Sequence, residues 1–303
     1  MKTDIQKQIL NLKKQKNAVI LAHYYAPDEV QAIADYVGDS FYLAKIAKQS
    51  DADIIVFCGV SFMGESAKIL NPTKKVLMPD ITADCAMAHM ASAERIAELR
   101  QMYPDLAVVC YINSTAALKA LSDVCVTSSN AVRIVRSLPN HNIFFIPDKN
   151  LGAFVADEVP EKNIILNDGC CPIHAGMLAE EVMREKRLHP NALVLTHPEC
   201  EREIVDMSDF VGSTADIIRF ATASECDEFI ICTEEGVNYK LVTDNPTKHF
   251  YFPATRPCCK DMKLNTLEAL LRVLTTEENE IVVSEELSHR ASLPLDRMLE
   301  LAK

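Results

Sequence analysis

Three cysteines in loop-like sequence are spaced almost evenly along the chain. Cys85 and Cys171 are 86 residues apart, and Cys171 and Cys259 are 88 residues apart. A repeated supersecondary unit places equivalent loops one period apart, so this spacing indicates an internal repeat. The length of 303 residues accommodates three such units and leaves a short remainder. The repeat therefore constrains the fold more strongly than the length or the composition does.

Apolar runs typical of buried strands recur with nearly the same period. The first strand of each unit is expected within 18–25, 107–114 and 192–199, whose starts are 89 and 85 residues apart. A second pair of similar segments, 123–128 and 209–214, is 86 residues apart. Chance explains one matching spacing more easily than several, so we interpret the chain as a threefold repeat.

Each unit is predicted to contain strand, helix, strand, helix and strand in that order. In the second unit the predicted strands cover 106–112, 123–126 and 142–146, and the predicted helices cover 115–121 and 130–138. Continuous apolar strands that alternate with amphipathic helices are typical of a small parallel sheet covered on both faces. We therefore predict an α/β fold of three three-layer α/β/α sandwich domains, related by pseudo-threefold symmetry around one central active site.

The period also sets the expected domain boundaries. The three repeats cover residues 1–88, 89–174 and 175–260, and a C-terminal closing segment, 261–303, packs back on the repeats. Apolar residues at helical spacing predict a helix within 1–17, before the first strand. Two closing helices are predicted at 266–274 and 295–302.

The charge balance excludes several classes of partner. Lys and Arg number 31 against 43 Asp and Glu, which gives a net charge of -12. A chain this acidic, without a basic stripe, binds a phosphate backbone poorly, so we expect no nucleic-acid partner.

The longest apolar runs, such as 18–22 and 54–58, are too short to span a bilayer, so we expect no membrane partner. The N-terminal segment lacks the uncharged apolar core of a signal peptide, which favours a cytoplasmic location.

The chain contains eleven cysteines. In the reducing compartment expected for it, they do not form a disulfide framework, so they need another explanation. Six lie in apolar runs or at element edges and are interpreted as structural: Cys58, Cys110, Cys125, Cys200, Cys226 and Cys232. The other five lie in polar loops: Cys85, Cys170, Cys171, Cys258 and Cys259. Ligands of open α/β sheets bind at the carboxyl ends of the strands, so three equivalent sheets would direct one cysteine each to a common centre. The sequence therefore predicts a metal or cluster site built from Cys85, one of Cys170/Cys171 and one of Cys258/Cys259.

Polar pairs close the first strand of each repeat. They are His23 and Tyr25, Tyr111 and Asn113, and His197 and Glu199. One such residue is more often structural than catalytic, but three pairs at matching positions favour a shared polar cavity with acid–base groups. Hydroxyl-rich helix starts at 38–40, 113–115, 127–130 and 212–214 are ordinary N-caps individually. Gathered around one cavity, they would suit a phosphate or carboxylate.

Eight segments together carry a family resemblance over essentially the whole chain. They are LAHYY (21–25), IADYVGDS (33–40), VFCGVSFM (56–63), ADCAMA (83–88), YINST (111–115), TSSN (127–130), PDKNL (147–151) and HPEC (197–200). The chain resembles quinolinate synthase, the A protein of de novo NAD biosynthesis. The resemblance implies a [4Fe–4S] cluster in a central cavity. It also implies a transferase that condenses iminoaspartate with dihydroxyacetone phosphate to form quinolinate, phosphate and two waters.

The resemblance also implies roles for particular residues. Cys85, Cys171 and Cys259 would hold the cluster and leave the fourth iron open, although the doubled cysteines, Cys170 and Cys258, depart from the expected pattern. Glu199 and Tyr25 would act as acid–base groups, and His23 and His197 would bind and orient carboxylates. Tyr111 and Asn113 would contact intermediates beside the open iron. Ser40, Ser128 and Thr214 would hold the phosphate or a substrate carboxylate.

Two other functions use the same residues. A zinc enzyme could be built on the three thiolates, with one coordination position left open. A non-catalytic iron–sulfur redox sensor would need the cluster but not His23, Tyr25 or Glu199. The sequence leaves open whether iminoaspartate passes directly from L-aspartate oxidase.

Overall fold

Three separate four-stranded sheets, each entirely parallel, form the framework of the computed structural model, which describes residues 3–303. Helices flank every sheet. In each sheet the second strand in chain order lies at one edge, the first and third strands are central, and the fourth lies at the other edge. The predicted fold class of small parallel sheets in α/β layers is confirmed.

The first sheet and its helices follow directly on an N-terminal helix. The elements are α1 (Asp4–Gln15), β1 (Ala18–His23), α2 (Asp28–Gln31), β2 (Tyr36–Gly38), α3 (Ser40–Gln49), β3 (Ile54–Cys58), α4 (Ser61–Leu70) and β4 (Lys75–Leu77). A 3-10 turn, Ala86–His89, and α5 (Ala93–Met102) lead to the second sheet.

The second and third sheets repeat this order. The second comprises β5 (Ala107–Tyr111), α6 (Ala116–Lys119), β6 (Val124–Val126), α7 (Ala131–Ser137), β7 (Asn142–Ile146), α8 (Lys149–Glu158) and β8 (Asn163–Leu166). After α9 (Pro172–Ala175) and α10 (Ala179–Leu188), the third comprises β9 (Leu193–Thr196), α11 (Arg202–Asp206), β10 (Phe210–Val211), α12 (Thr214–Ala223), β11 (Glu228–Cys232), α13 (Val237–Asp244) and β12 (His249–Tyr251). A 3-10 turn, Met262–Leu264, precedes α14 (Leu267–Thr276) and α15 (Glu285–Leu301).

The central strands are apolar throughout because both of their faces are buried. Along β1, Val19 and Leu21 belong to one core and Ile20 and Ala22 to another, as expected for side chains that alternate across a sheet. Helices α1 and α14 pack on the side of Ile20, and α3 and α4 pack on the opposite side. This double burial fixes the register, since a slip of one residue would exchange the two faces.

Two details differ from the sequence-based expectation. Each sheet has a fourth strand, whereas three were predicted per unit. Helix α15 begins at Glu285 and continues through Pro294, whereas a helix was predicted only from residue 295. The helix predicted within 1–17 is confirmed as α1, Asp4–Gln15; residues 1 and 2 lie outside the described residues.

Within residues 3–303, no helix combines the length with the apolar composition needed to cross a bilayer.

Candidate active site

The first strand of each sheet ends at one shared cavity. Its empty volume is about 700 Å³, including the solvent space at its mouth. All of the site residues predicted from the sequence line it: His23, Tyr25, Ser40, Cys85, Tyr111, Asn113, Ser128, Cys171, His197, Glu199, Thr214 and Cys259. Residues as far apart as 23 and 259 are thus brought together by the parallel sheets, whose carboxyl ends face the same point.

Two histidines at equivalent strand ends are oriented in the same way. The backbone N–H of Tyr25 donates to His23 Nδ1 at 3.2 Å, and the backbone N–H of Glu199 donates to His197 Nδ1 at 3.3 Å. Burial lowers the pKa of both imidazoles to about 3, so both rings are neutral at neutral pH. Because Nδ1 accepts a hydrogen bond in each ring, the ring proton is on Nε2. His197 Nε2 lies 3.3 Å from Ser128 Oγ and can donate to it.

Glu199 is a buried carboxylate with a well-defined partner. Its side chain is only 3% exposed, and Oε2 lies 2.8 Å from His174 Nδ1 and 4.0 Å from His197 Nδ1. Burial opposes ionisation, but the nearby His174 and the hydrogen bonds from His174 and Tyr111 outweigh it, so the pKa of Glu199 is lowered. Glu199 is therefore ionised at neutral pH and is able to accept a proton.

A chain of hydrogen bonds connects Tyr25 to Glu199. The Tyr25 hydroxyl lies 2.6 Å from Thr214 Oγ1 and 2.9 Å from Thr233 Oγ1. Thr233 Oγ1 lies 3.0 Å from His174 Nε2, and the opposite ring nitrogen contacts Glu199. Each hydroxyl can donate to the next group, so the chain can run in one direction from Thr214 to the carboxylate.

The two cavity tyrosines are held in their neutral form. Burial raises the pKa of Tyr25 well above its ordinary value, against the opposing effect of its hydrogen bonds with Thr214 and Thr233. Burial and the neighbouring Glu199 also raise the pKa of Tyr111 well above its ordinary value. Both phenols are therefore proton donors at neutral pH.

Hydroxyl and amide groups face the same cavity from helix starts and strand ends. Ser40 and Thr214 are the first residues of α3 and α12. In α12 the preceding residue, Ser213, serves as N-cap, which leaves the Thr214 hydroxyl for other contacts. Asn113 Oδ1 is buried without a hydrogen-bond partner. An unsatisfied buried acceptor is costly, and a ligand in the cavity could supply the missing donor.

The three loops that carry Cys85, Cys171 and Cys259 are attached to their sheets in the same way. In each loop, the backbone C=O two residues before the cysteine accepts a hydrogen bond from a backbone N–H. The donor is the third residue after the end of the third strand of that sheet. These bonds are Ser61 N–H to Ala83 O at 2.8 Å, Lys149 N–H to Gly169 O at 2.7 Å and Glu235 N–H to Pro257 O at 2.8 Å. The structure therefore places Cys85, Cys171 and Cys259 at equivalent positions. Cys170 and Cys258 lie one residue before these positions in their loops.

Backbone N–H groups face each of these thiols. For Cys85, Cys171 and Cys259, the N–H groups of the second and third residues further along the chain favour the thiolate. Burial outweighs them and raises all three pKa values, that of Cys85 to about 12. Cys259 further raises the pKa of Cys85, and Cys85 further raises the pKa of Cys171, because negative charge on neighbouring sulfurs is unfavourable. Without a bound cation, all three are neutral thiols at neutral pH.

The doubled cysteines do not line the cavity. Cys170 and Cys258 are both partly exposed free thiols. Burial and the neighbouring Glu235 raise the pKa of Cys258 to about 11. The structure thus distinguishes the two cysteines of each adjacent pair, because Cys171 and Cys259 line the cavity and Cys170 and Cys258 do not. The sequence alone did not give this geometric distinction.

Residues 7–300 match the model of one protein family, described as quinolinate synthetase A protein. The chain belongs to this family. The resemblance inferred from eight short segments is thus confirmed over nearly the whole chain.

Similar family members come from several bacteria. The chain is 51% identical over 303 residues to a quinolinate synthase of Clostridioides difficile, with 100% of both chains covered. It is 53% identical over 298 residues to one of Caldicellulosiruptor saccharolyticus, with 98% of both chains covered. It is 52% identical over 295 residues to one of Fusobacterium nucleatum, covering 97% of this chain and 98% of the other.

In this member of the quinolinate synthetase A family, several cavity residues were not predicted from the sequence. They include Asp84, His174 and Glu234. His174 follows Cys171 by three residues in the motif CPIH, and this spacing on a helical turn was the available signal. The acidic residues resemble ordinary N-caps and loop carboxylates, so their sequence carries no such signal.

One group in the cavity could hold a metal ion by itself. Ligand atoms of Cys171, His174 and Glu199 all lie within 4.8 Å of one another. His174 Nδ1 is 3.3 Å from Cys171 Sγ as well as 2.8 Å from Glu199 Oε2. Thiolate, imidazole and carboxylate are all ligands that zinc accepts, so this group must be distinguished by experiment from a site made of three thiolates.

Proposed function

We propose that this chain is a quinolinate synthase, a transferase that joins iminoaspartate and dihydroxyacetone phosphate and releases quinolinate, phosphate and two waters. The observation that carries the proposal is the convergence of one cysteine from each sheet with Glu199, Tyr25 and two neutral histidines in one cavity. Membership of the family and about 50% identity to quinolinate synthases support it. The proposal includes a cytoplasmic location and L-aspartate oxidase as the source of iminoaspartate.

The donor set suits a [4Fe–4S] cluster held by Cys85, Cys171 and Cys259. Thiolates are the usual protein ligands of such clusters. Within residues 3–303 the cavity lining contains these three cysteines and no fourth, which would leave one iron without a protein ligand. When bound, the cluster would supply an open Lewis-acidic iron that stabilises negative charge on the substrates.

The chain's own residues can supply the proton transfers. Tautomerisation, loss of phosphate and the two dehydrations, one of which forms the imine, each require a proton to be taken or given. Glu199 is ionised and accepts a proton, whereas Tyr25 and Tyr111 are neutral and donate one. The hydrogen-bond chain through Thr233 and His174 connects the two groups, and it would return the proton from Glu199 to Tyr25 once each donor and acceptor along it is reversed.

Carboxylates of iminoaspartate would be bound by the neutral histidines. Nε2 of His23 and of His197 carries the ring proton, because Nδ1 accepts a backbone N–H in both. Each ring therefore presents a donor in a fixed orientation, and no rotation of the ring is needed when the substrate binds. The buried Asn113 Oδ1 remains an acceptor for a substrate N–H or O–H.

Removal of a hydroxyl that holds phosphate should weaken one substrate selectively. We expect Ser128→Ala and Thr214→Val to raise the KM for dihydroxyacetone phosphate more than the KM for iminoaspartate. A lost charge-assisted hydrogen bond costs about 1.5–3 kcal/mol, or about 10- to 150-fold in KM. Steady-state kinetics with each substrate varied in turn measures the difference.

Matched variants control for damage to the cavity. Ser129→Ala removes the adjacent hydroxyl, which contacts Thr127 Oγ1 at 2.9 Å and does not line the cavity. Thr214→Ser keeps the hydroxyl that contacts Tyr25. Both should behave as the wild type. Equal weakening of both substrates in Ser128→Ala would argue against phosphate binding there.

Metal analysis separates the proposed function from its alternatives. We expect a brown protein with about four irons and four sulfides per chain when it is purified without oxygen. Air should remove activity, and iron, sulfide and reductant should restore it, because one iron would face the cavity without a protein ligand. A colourless zinc-loaded chain would instead support a zinc enzyme.

The quinolinate assay separates an enzyme from a sensor. A chain that holds the cluster but forms no quinolinate from iminoaspartate and dihydroxyacetone phosphate would support the redox sensor. Full activity of an iron-free chain would contradict the proposed cluster role altogether.

A further inference from the structure

Two buried carboxylates occupy equivalent positions in the second and third sheets. Asp148 lies two residues beyond the end of β7, and Glu234 lies two residues beyond the end of β11, 86 residues later. Both are fully buried, with 0% exposure. A buried carboxylate is costly unless its oxygens accept hydrogen bonds, so the partners of these two groups indicate what they hold in place.

Asp148 connects the end of a strand to the loop of Cys171. Oδ1 accepts the backbone N–H of Leu151 at 2.7 Å, and Oδ2 accepts the backbone N–H of Cys171 at 3.0 Å. The first bond caps α8, and the second crosses 23 residues of chain to a residue that lines the cavity.

Glu234 makes the equivalent connection to Cys259. Oε1 accepts the backbone N–H of Cys259 at 3.0 Å, and Oε2 accepts that of Gly236 at 2.7 Å. Lys263 Nζ lies 2.9 Å from Oε1 and also donates to Tyr25 O at 2.7 Å. Glu234 thus joins the cysteine loop to the segment that carries Tyr25.

The first sheet has no carboxylate at this position. The equivalent residue is Val60, although the backbone bond from Ser61 to Ala83 is the same as in the other two sheets. The Cys85 loop is held by Asp84 instead, whose backbone N–H donates to Asp261 Oδ1 at 3.2 Å. The two carboxylates are therefore not required by the sheet itself, since a sheet of the same form exists without one.

We infer that Asp148 and Glu234 are positioning residues that fix Cys171 and Cys259 for ligation of the cluster; this inference rests on the proposed function. In both groups each oxygen accepts a backbone N–H, which a carboxylate can do and an amide cannot. An amide would place its NH₂ group against one of the two N–H donors. The cost would fall on the cysteine loop; Asp148→Asn changes no residue of the cavity lining, whereas Glu234 is itself part of it.

The test compares Asp148→Asn and Glu234→Gln with the same acid-to-amide substitutions at the surface. Asp157→Asn removes a carboxylate that is paired with Arg202 at the surface, and Glu268→Gln removes an exposed one in α14. Partners of metal ligands typically contribute on the order of 10- to 100-fold in metal affinity. We expect both buried variants to lose iron to a chelator faster by a factor of this order, and both surface variants to match the wild type.

A second measurement does not depend on the cluster. In metal-free full-length chain, amide hydrogen exchange should increase at 171–175 in Asp148→Asn and at 259–263 in Glu234→Gln. The region around Cys85 should stay unchanged in Asp148→Asn; in Glu234→Gln it is not a control, because Asp84 is bonded to Asp261 of the loosened segment. Asp148→Ser is the substitute if Asp148→Asn folds poorly. Its single side-chain oxygen can cap α8 but cannot also reach Cys171, so it removes the contact to the cysteine loop and keeps the helix cap.

Three outcomes are decisive. Faster iron loss together with local exchange at the matching cysteine loop supports the inference. Wild-type iron retention in both buried variants, with or without lower thermal stability, overturns it and leaves the proposed function intact. A wild-type chain without iron and sulfide contradicts the proposed function itself, and unchanged exchange at both loops would then also reject the positioning contacts.

Discussion

Cys85→Ser, Cys171→Ser and Cys259→Ser are each expected to purify with little iron or sulfide and to form quinolinate only at a background rate. Each change removes one of three sulfurs that line the cavity at equivalent positions. A serine hydroxyl is a harder and much less acidic ligand, so it replaces a thiolate poorly on iron. Iron, sulfide and visible absorption are measured on protein purified without oxygen, together with the quinolinate assay.

The neighbouring cysteines provide matched controls for this prediction. Cys170→Ser and Cys258→Ser make the same chemical change one residue earlier in the same loops, and neither side chain lines the cavity. Both variants should keep the cluster. Loss of the cluster in Cys170→Ser but not in Cys171→Ser would move that ligand by one residue. Retention in all five variants would contradict a site made of three thiolates.

The same variants test a single metal ion at Cys171, His174 and Glu199. An ion held by these three ligands depends on Cys171 but not on Cys85 or Cys259. Metal retained in Cys85→Ser and Cys259→Ser, but lost in Cys171→Ser, would therefore favour the single-ion site. Loss in all three requires a group large enough to contact every thiol.

The fold could be predicted because its strongest signal is local. Strands β1, β5 and β9 are apolar runs with the same period, and burial on both faces makes them continuous. The fourth strands were missed because they are short edge strands. Lys75–Leu77 and His249–Tyr251 contain only three residues each, and both begin with a polar residue, so they lack the longer apolar run of a central strand.

Helix α15 was predicted too short because proline usually ends a helix. Pro294 lacks the N–H that would complete the helical hydrogen bond, which favours a boundary there. In the structure the helix passes through it and buries Ala291, Leu295 and Met298 along one face. Packing against α4 and α6 outweighs the missing hydrogen bond, and this tertiary contact is not visible in a local window.

The cavity residues could be predicted to the extent that they recur at strand ends. His23 and Tyr111 end equivalent strands and His197 directly follows the third, so the repeat alone predicts that they meet. Thr233 and His174 could not be found in this way. Thr233 contacts Tyr25 across 208 residues of chain, and such a contact has no local pattern.

The positions of Asp148 and Glu234 illustrate the same limit. In the sequence Asp148 is an ordinary N-cap candidate before a helix, and it does cap α8. Only the three-dimensional structure shows that its second oxygen accepts the N–H of Cys171. When a residue has one partner nearby in sequence and one far away, the sequence indicates only the nearby partner.

Glu199 is the residue for which the cavity's electrostatics make the sharpest prediction. Burial disfavours its charge, yet His174 at 2.8 Å and the hydrogen bond from Tyr111 keep its pKa low. The sign of the pH effect follows from this lowered pKa. The base is present throughout the neutral range and is lost only as the pH falls through its own low pKa, below the ordinary value for Glu.

Glu199→Gln should lower turnover on the order of 10²-fold or more, as expected for the loss of a general base, with the iron and sulfide content unchanged. Glutamine keeps the shape and can still accept from His174, but it takes up no proton. Glu201→Gln is the matched control, because Glu201 lies two residues further along, pairs with Lys149 at the surface and does not line the cavity. Turnover near the wild-type value in Glu199→Gln would make Glu199 a structural residue of the strand end. Loss of metal in that variant would instead identify Glu199 as a ligand, since its carboxylate lies within reach of Cys171 and His174.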